Sequence, residues 1–181
     1  MGLAGRGREP QSPMDADRVL DLLAVLATAG IPVWLDGGWA IDALLGEQTR
    51  QHDDLDLVAR LEDSTGIEQT LRQLGYMLAG GGSPLSFELV DADGHQVDVH
   101  PAAFNTTGDG IYKMEDGTDW IFPAVGFNGV GRIQDRQVPT LTPEVVLVNH
   151  TTGYALDEQH QRDVQALCAH YRIPPPKFRR V

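Results

Sequence analysis

Cysteine is nearly absent: Cys168 stands alone in 181 residues, so neither a disulfide scaffold nor a zinc ribbon can form within one copy, and a reducing compartment is the simplest home. Basic residues are scarce as well. Fourteen Lys and Arg face 26 Asp and Glu, a formal net charge of −12. A non-specific grip on a phosphate backbone depends on Lys and Arg for counterion release, so tRNA-tailing enzymes, polymerases and basic membrane-surface proteins drop down the list. Long apolar runs are missing too. The longest, Leu22 to Ala27, is far short of the roughly 20 residues that cross a bilayer. Met1 to Pro13 carries Arg6 and Arg8 with no apolar stretch behind them, and Arg6 stands where a myristoylation signal needs Ser or Thr. No leader, membrane span or lipid anchor is expected, and the expected location is cytoplasmic.

The chain reads as α+β, or mixed α/β, with a mixed sheet flanked by helices and a helical C-terminal part. Residues 1–13 are expected to be a disordered tail, 14–104 a catalytic core, and 105–181 a loop-rich segment with C-terminal helices that complete a cleft. Val19, Leu22, Leu23 and Leu26 recur at helical spacing between a capping Asp15 and Gly30. Val33 to Leu35 is a short strand, Gly37-Gly38 breaks it, and Trp39 to Leu45 is a helix stopped by Gly46. Asp54 to Ala59 alternates like a strand. Thr65 and Glu68 form a capping-box pattern ahead of Ile67, Leu71 and Leu74. Leu85 to Val90 and His95 to His100 form a hairpin across Asp91-Ala92-Asp93-Gly94. Pro101 to Pro139 is rich in Gly, Asn and Asp and is expected to be a long functional loop. Thr142-Pro143 opens one helix, and Val164, Leu167, Cys168 and Tyr171 mark the last.

Three pieces point to chemistry. Asp54 and Asp56 leave the same face of one strand while Leu55 and Leu57 face the core. Two such carboxylates suit Mg²⁺, which fills its other positions with water and substrate phosphate. Asp98, between Val97 and Val99, is a charge on an otherwise apolar strand; beside the first pair it would complete a site for metal-assisted attack on phosphorus. Gly37-Gly38 at a helix start exposes backbone N–H groups and the positive end of the dipole to phosphate oxygens. Arg50 and Lys113 are candidate counter-charges for departing pyrophosphate. Each piece alone has a plainer reading, as a tight turn, a solvated strand entry or an Asp–Arg pair. It is their order along the chain that is specific. His52, His95 and His100 lack zinc-ligand spacing and read as polar-surface or supporting groups. Trp34 and Trp39 read as core.

The segment WLDGGWAIDALLGEQTRQHDDLDL, with VDVHP and HTTGY after it, resembles the nucleotidyltransferase superfamily, and within it the small antibiotic nucleotidyltransferases of the lincosamide type. Asn105, Asp109-Gly110, the run Gln134 to Pro139 and Asp163 continue the likeness. Aminoglycoside 2″-adenylyltransferases are similar through GGWAIDA and HDDLDL and diverge after the hairpin. The resemblance implies Asp54 and Asp56 as Mg²⁺ ligands, and Asp98 as a metal ligand, as the base that takes a hydroxyl proton, or as both. It implies Gly37 and Gly38 as phosphate contacts and Arg50 and His52 as nucleotide contacts. The reaction implied is transfer of a nucleoside monophosphate, AMP first, from ATP or another triphosphate to a hydroxyl of a small antibiotic. Ile111, Tyr112, Trp120, Ile121, Phe122 and Phe127 could supply an apolar wall, which leans the acceptor to a lincosamide. Asp53 stands where lincosamide enzymes often carry a basic residue, and that leaves an aminoglycoside open. A toxin-type enzyme acting on a protein or tRNA is the other alternative; its compact basic patch would be Lys177, Arg179 and Arg180. The small size admits a homodimer whose second copy completes the cleft.

Overall fold

The structure is a computed structural model, and it describes residues 12–114, 116–152 and 158–174. Most of the expected tail, the Gly153-Tyr154 end of HTTGY and the patch of Lys177, Arg179 and Arg180 lie outside the described residues.

α1 (Ala16–Thr28) begins where Asp15 accepts the Arg18 backbone N–H at 2.8 Å, and buries Val19, Leu22 and Leu26. It ends at Gly30, whose φ of +75° suits the left-handed cap. β1 (Val33–Leu35) leads into α2 (Gly37–Leu45), then β2 (Asp54–Arg60). A 3₁₀ turn, Leu61–Asp63, runs straight into α3 (Ser64–Arg72). This is why no capping box forms at Thr65 and Glu68: the turn carbonyl of Leu61 already accepts the Ser64 N–H, and Glu68 pairs with Arg72 instead. Next come β3 (Met77–Gly81), β4 (Phe87–Val90) and β5 (Gln96–Phe104).

The long loop expected over 101–139 is mostly strand. β5 runs on to Phe104, followed by β6 (Gly110–Lys113), β7 (Asp119–Phe122), β8 (Gly129–Ile133) and β9 (Arg136–Thr140). The polar clusters there are the turns: the Asn105 carboxamide accepts the N–H groups of Thr107 and Asp109, and Asp116 accepts that of Thr118. α4 (Pro143–Thr151) and α5 (Glu158–Tyr171) close the chain and pack on α2.

Among the described residues nine strands share one mixed sheet, with the path β3-β4-β5-β2-β1-β9-β8 and the β6–β7 hairpin joined to β5. β2 and β5 run parallel at its centre, and β1 pairs antiparallel with β2 but parallel with β9. Leu55, Leu57, Leu89, Val97 and Val99 are fully buried and make the core face of the three central strands. Among the described residues no helix is long and apolar enough to cross a membrane.

Candidate active site

The central register decides what meets what. In the parallel β2–β5 ladder Asp56 stands opposite Asp98, and in the antiparallel β4–β5 ladder Glu88 stands opposite the same Asp98. Strand alternation keeps Asp54 on that face also, while Leu55 and Val97 point into the core. The sheet therefore brings Asp54, Asp56 and Asp98 together. Burial, then the charges of Asp56 and Asp53, push the Asp54 carboxyl from 3.8 up to about 6. Burial, then Asp56, push Asp98 up to about 7 despite a helpful 2.7 Å hydrogen bond from Gln96; Asp54 and Glu88 add to the rise.

Asp36, which the motif reading passed over, adds a fourth carboxylate. It stands at the N-terminal cap position of α2 without a side-chain capping bond and is 8% exposed; Asn149 of α4 donates to its Oδ2 at 2.7 Å, and its Oδ1 has no hydrogen-bond partner among the described residues. Burial and the Asp56 charge raise its carboxyl as well. His100 is the counterweight. Its Nε2 lies 3.3 Å from Asp56 Oδ1 and its Nδ1 lies 3.0 Å from Ser86 Oγ, which also bonds the Tyr112 hydroxyl. Burial alone would lower the imidazole, but the hydrogen bond to Asp56 and the charges of Asp56, Asp36 and Asp98 raise it.

These shifts have one sign. Asp54 and Asp98 hold their protons to higher pH when folded than when unfolded, and His100 does the same, so over the window from about pH 4 to about pH 7 the folded state binds more protons. Stability present below the unfolded carboxyl value is lost as pH rises through the folded ones. Thermal melts without divalent cation are expected to show a midpoint that falls between these pH values. A flat or rising midpoint would contradict the crowding of these carboxylates.

The Gly-Gly turn is packed from both sides. Gly37 has φ +63°, and a Cβ built on it would overlap the Asp56 carboxylate; one on Gly38 would overlap the His52 ring and come within 2.9 Å of Arg50 Nη2. His52, expected as a nucleotide contact, is 3% exposed, with its Nε2 on Asp42 at 2.5 Å and its ring against Trp39, so it sits behind the glycines. Arg50 is paired with Asp163 of α5. Lys113 pairs with Asp119 on the hairpin face opposite Tyr112.

The expected apolar wall is divided by the pleat. Tyr112, Trp120 and Phe122 share one face of the β6–β7 hairpin, while Ile111 and the exposed Ile121 take the other. Trp34 and Phe104 stand in for the missing part. With Phe127 they form a cluster with centroids 4.7 to 5.9 Å apart, on the sheet face that carries the carboxylates. Trp120 is tied to the same neighbourhood, donating its indole N–H to Asn149 at 3.2 Å. Neither Asn149 nor Ser86 carries any local sequence signal; each arrives by register or helix packing.

A hard cation fits these groups. Three carboxylates crowd on adjacent strands, two of them, Asp54 and Asp98, raised by burial and by the charge of Asp56; a cation that shares them relieves this crowding, and Gly37 leaves Asp56 room that a side chain would fill. Asp91, Asp93 and His95 also bring ligand atoms within 4.8 Å of one another in the β4–β5 turn. There the Asp91 carboxylate already meets Arg18 at 3.0 Å and the backbone N–H groups of Asp93 and His95.

The family model of aminoglycoside-2″-adenylyltransferases matches residues 18–167. A lincosamide resistance protein of Staphylococcus haemolyticus is 30% identical over 137 residues, 76% of this chain and 84% of that protein. A 2″-aminoglycoside nucleotidyltransferase of Escherichia coli is 43% identical over 65 residues, 34% of this chain and 37% of that one. The lincomycin-bound crystal structure of a lincosamide antibiotic adenylyltransferase superposes with a TM-score of 0.76 at 27% identity, covering 86% of this chain and 98% of that one. The enzyme ANT(2″)-Ia with adenylyl-2″-tobramycin shares the fold, with a TM-score of 0.69 at 23% identity over 86% of this chain and 88% of that one.

Proposed function

Because the chain belongs to the aminoglycoside-2″-adenylyltransferase family and is a nucleotidyltransferase, we propose that it moves a nucleoside monophosphate, AMP first, from a triphosphate to a hydroxyl of a lincosamide. The observation that carries this reading is the Asp56–Asp98 register at the sheet centre, beside the Gly37-Gly38 turn. Asp54, Asp56 and Asp98 would hold Mg²⁺, which supplies neutralisation of phosphate charge when bound. The backbone N–H groups at the start of α2 face the phosphates, and Arg50 meets the pyrophosphate side. Asp98, facing Asp56 across the β2–β5 ladder, takes the proton of the attacking hydroxyl. The acceptor oxygen forms its bond to the α-phosphorus as the bond to pyrophosphate breaks. Positioning does most of the work, as in other phosphoryl transfers.

For the acceptor, the sequence match covers 84% of the lincosamide resistance protein against 37% of the aminoglycoside enzyme, and the aromatic group of Trp34, Phe104 and Phe127 offers an apolar wall on the carboxylate face. An aminoglycoside is the second reading, favoured by the acidic row of Glu88, Asp98 and Asp56, which would suit a polycation. Incubation with ATP labelled at the α-phosphate, Mg²⁺ and lincomycin, kanamycin or bulk tRNA separates these. Label is expected on lincomycin. Label on kanamycin alone selects the second reading, and label on tRNA alone overturns both.

A further inference from the structure

Among the expected nucleotide contacts, Arg50 is held from the far end of the chain. Its Nε and Nη2 donate to Asp163 Oδ2 at 3.3 and 3.1 Å, and its Nη1 donates to the Gln51 carbonyl at 3.0 Å. Asp163 lies on α5, 5% exposed, and its other oxygen accepts Gln159 Nε2 at 3.0 Å. The guanidinium is thereby parked over the first turn of α2, Nη2 being 2.9 Å from where a Gly38 Cβ would stand. A guanidinium has five N–H donors. The bonds above use one on each nitrogen, so each Nη keeps one N–H, that of Nη2 beside the glycine turn.

We propose that Asp163 is a positioning residue for the nucleoside triphosphate: α5 holds the Arg50 guanidinium over Gly38 so that its two remaining N–H groups meet phosphate oxygens. This rests on the nucleotidyltransferase reading above. A free Arg side chain loses substantial rotamer entropy when a ligand fixes it, and here that loss is taken at folding instead. The pair is buried on the Asp163 side only, Arg50 remaining 29% exposed, and the desolvation of Asp163 offsets part of what the pair gives to stability. Charge and orientation pull in opposite directions, which makes the idea testable. If Asp163 merely offset the Arg50 charge, its removal would tighten triphosphate binding. If it orients the fork, removal loosens it.

The test is calorimetry of Mg²⁺-ATP binding to the full chain. Asp163→Ala is expected to weaken ATP by about tenfold, to leave the affinity for the antibiotic acceptor unchanged, and to be partly rescued by Asp163→Glu. In an Arg50→Gln background the same substitution is expected to add nothing, because the two residues act as one unit. Should Asp163→Ala fail to fold, Asp163→Asn is expected to shift ATP binding in the same direction by less. Unchanged or tighter ATP binding, or an undiminished effect without Arg50, overturns the role of Asp163 alone. A wild-type chain that binds no nucleoside triphosphate overturns the functional reading beneath it.

Discussion

Asp56→Asn is expected to lower nucleotidyl transfer by about a thousandfold or more while the protein becomes more resistant to heat at pH 8. The loss follows from the position of Asp56, opposite Asp98 in the β2–β5 ladder and under Gly37, where it would share a metal with Asp54. Charge stabilisation by a bound metal is worth several kcal/mol, and each 1.36 kcal/mol or so is tenfold in rate. The gain in stability follows from the same position. The Asp56 charge raises the carboxyls of Asp36, Asp54 and Asp98, so removing it relieves repulsion at three neighbours. Asparagine keeps an oxygen for the His100 N–H. Transfer kinetics paired with thermal melts read both effects, and their opposite signs are the point. A variant within tenfold of wild-type activity would remove Asp56 from the metal site. Parallel loss of activity and stability would make its role structural.

Gly37→Ala is expected to do damage of another kind, reducing transfer by about a hundredfold or more and destabilising the fold together. A non-glycine residue at φ +63° costs about 1–2 kcal/mol on conformation alone, and the new methyl would overlap the Asp56 carboxylate. Displacing a reacting group by about 1 Å is enough for a hundredfold loss. Gly75→Ala is the internal control: φ is +90° there, but a Cβ would meet nothing within 4 Å. It is expected to lower the melting temperature and spare activity. Equal activity losses in the two variants would mean that backbone strain, and not the contact with Asp56, governs the effect.

Much of this site is local in sequence, and its limits are equally physical. Asp54 and Asp56 announce a shared face by period-two spacing, Asp98 stands out because Val97 and Val99 flank it, and the Asp-Gly turn at Asp93-Gly94 supplies the hairpin that carries it. Which strand lies beside Asp54 is not a local property, yet β5 falls there and sets Asp56 opposite Asp98. The strands between Gly110 and Thr140 were hidden because each is only four or five residues long and pivots on Gly, Asn or Asp turns. Asp36, Asn149 and the Arg50–Asp163 pair escape motif reading for a further reason. The partners lie on different elements, and only the packing of α4 and α5 against the α2 region unites them.

The place of β1 has a consequence for how the chain is made. β1 lies against β2, the strand of Asp54 and Asp56, yet its other edge is completed only by β9, with Leu35 beside Thr140 and the Leu141 N–H on the Leu35 carbonyl at 3.0 Å. α2, which carries the glycine turn, is likewise covered by helices that follow β9. A ribosome that has delivered the first hundred residues has supplied Asp36, Asp54, Asp56 and Asp98, but with an open sheet edge and a bare helix beside them. Pairings between such remote segments form slowly. The enzyme is therefore expected to mature after synthesis ends, and its exposed β1 edge makes the nascent chain a natural client for chaperones.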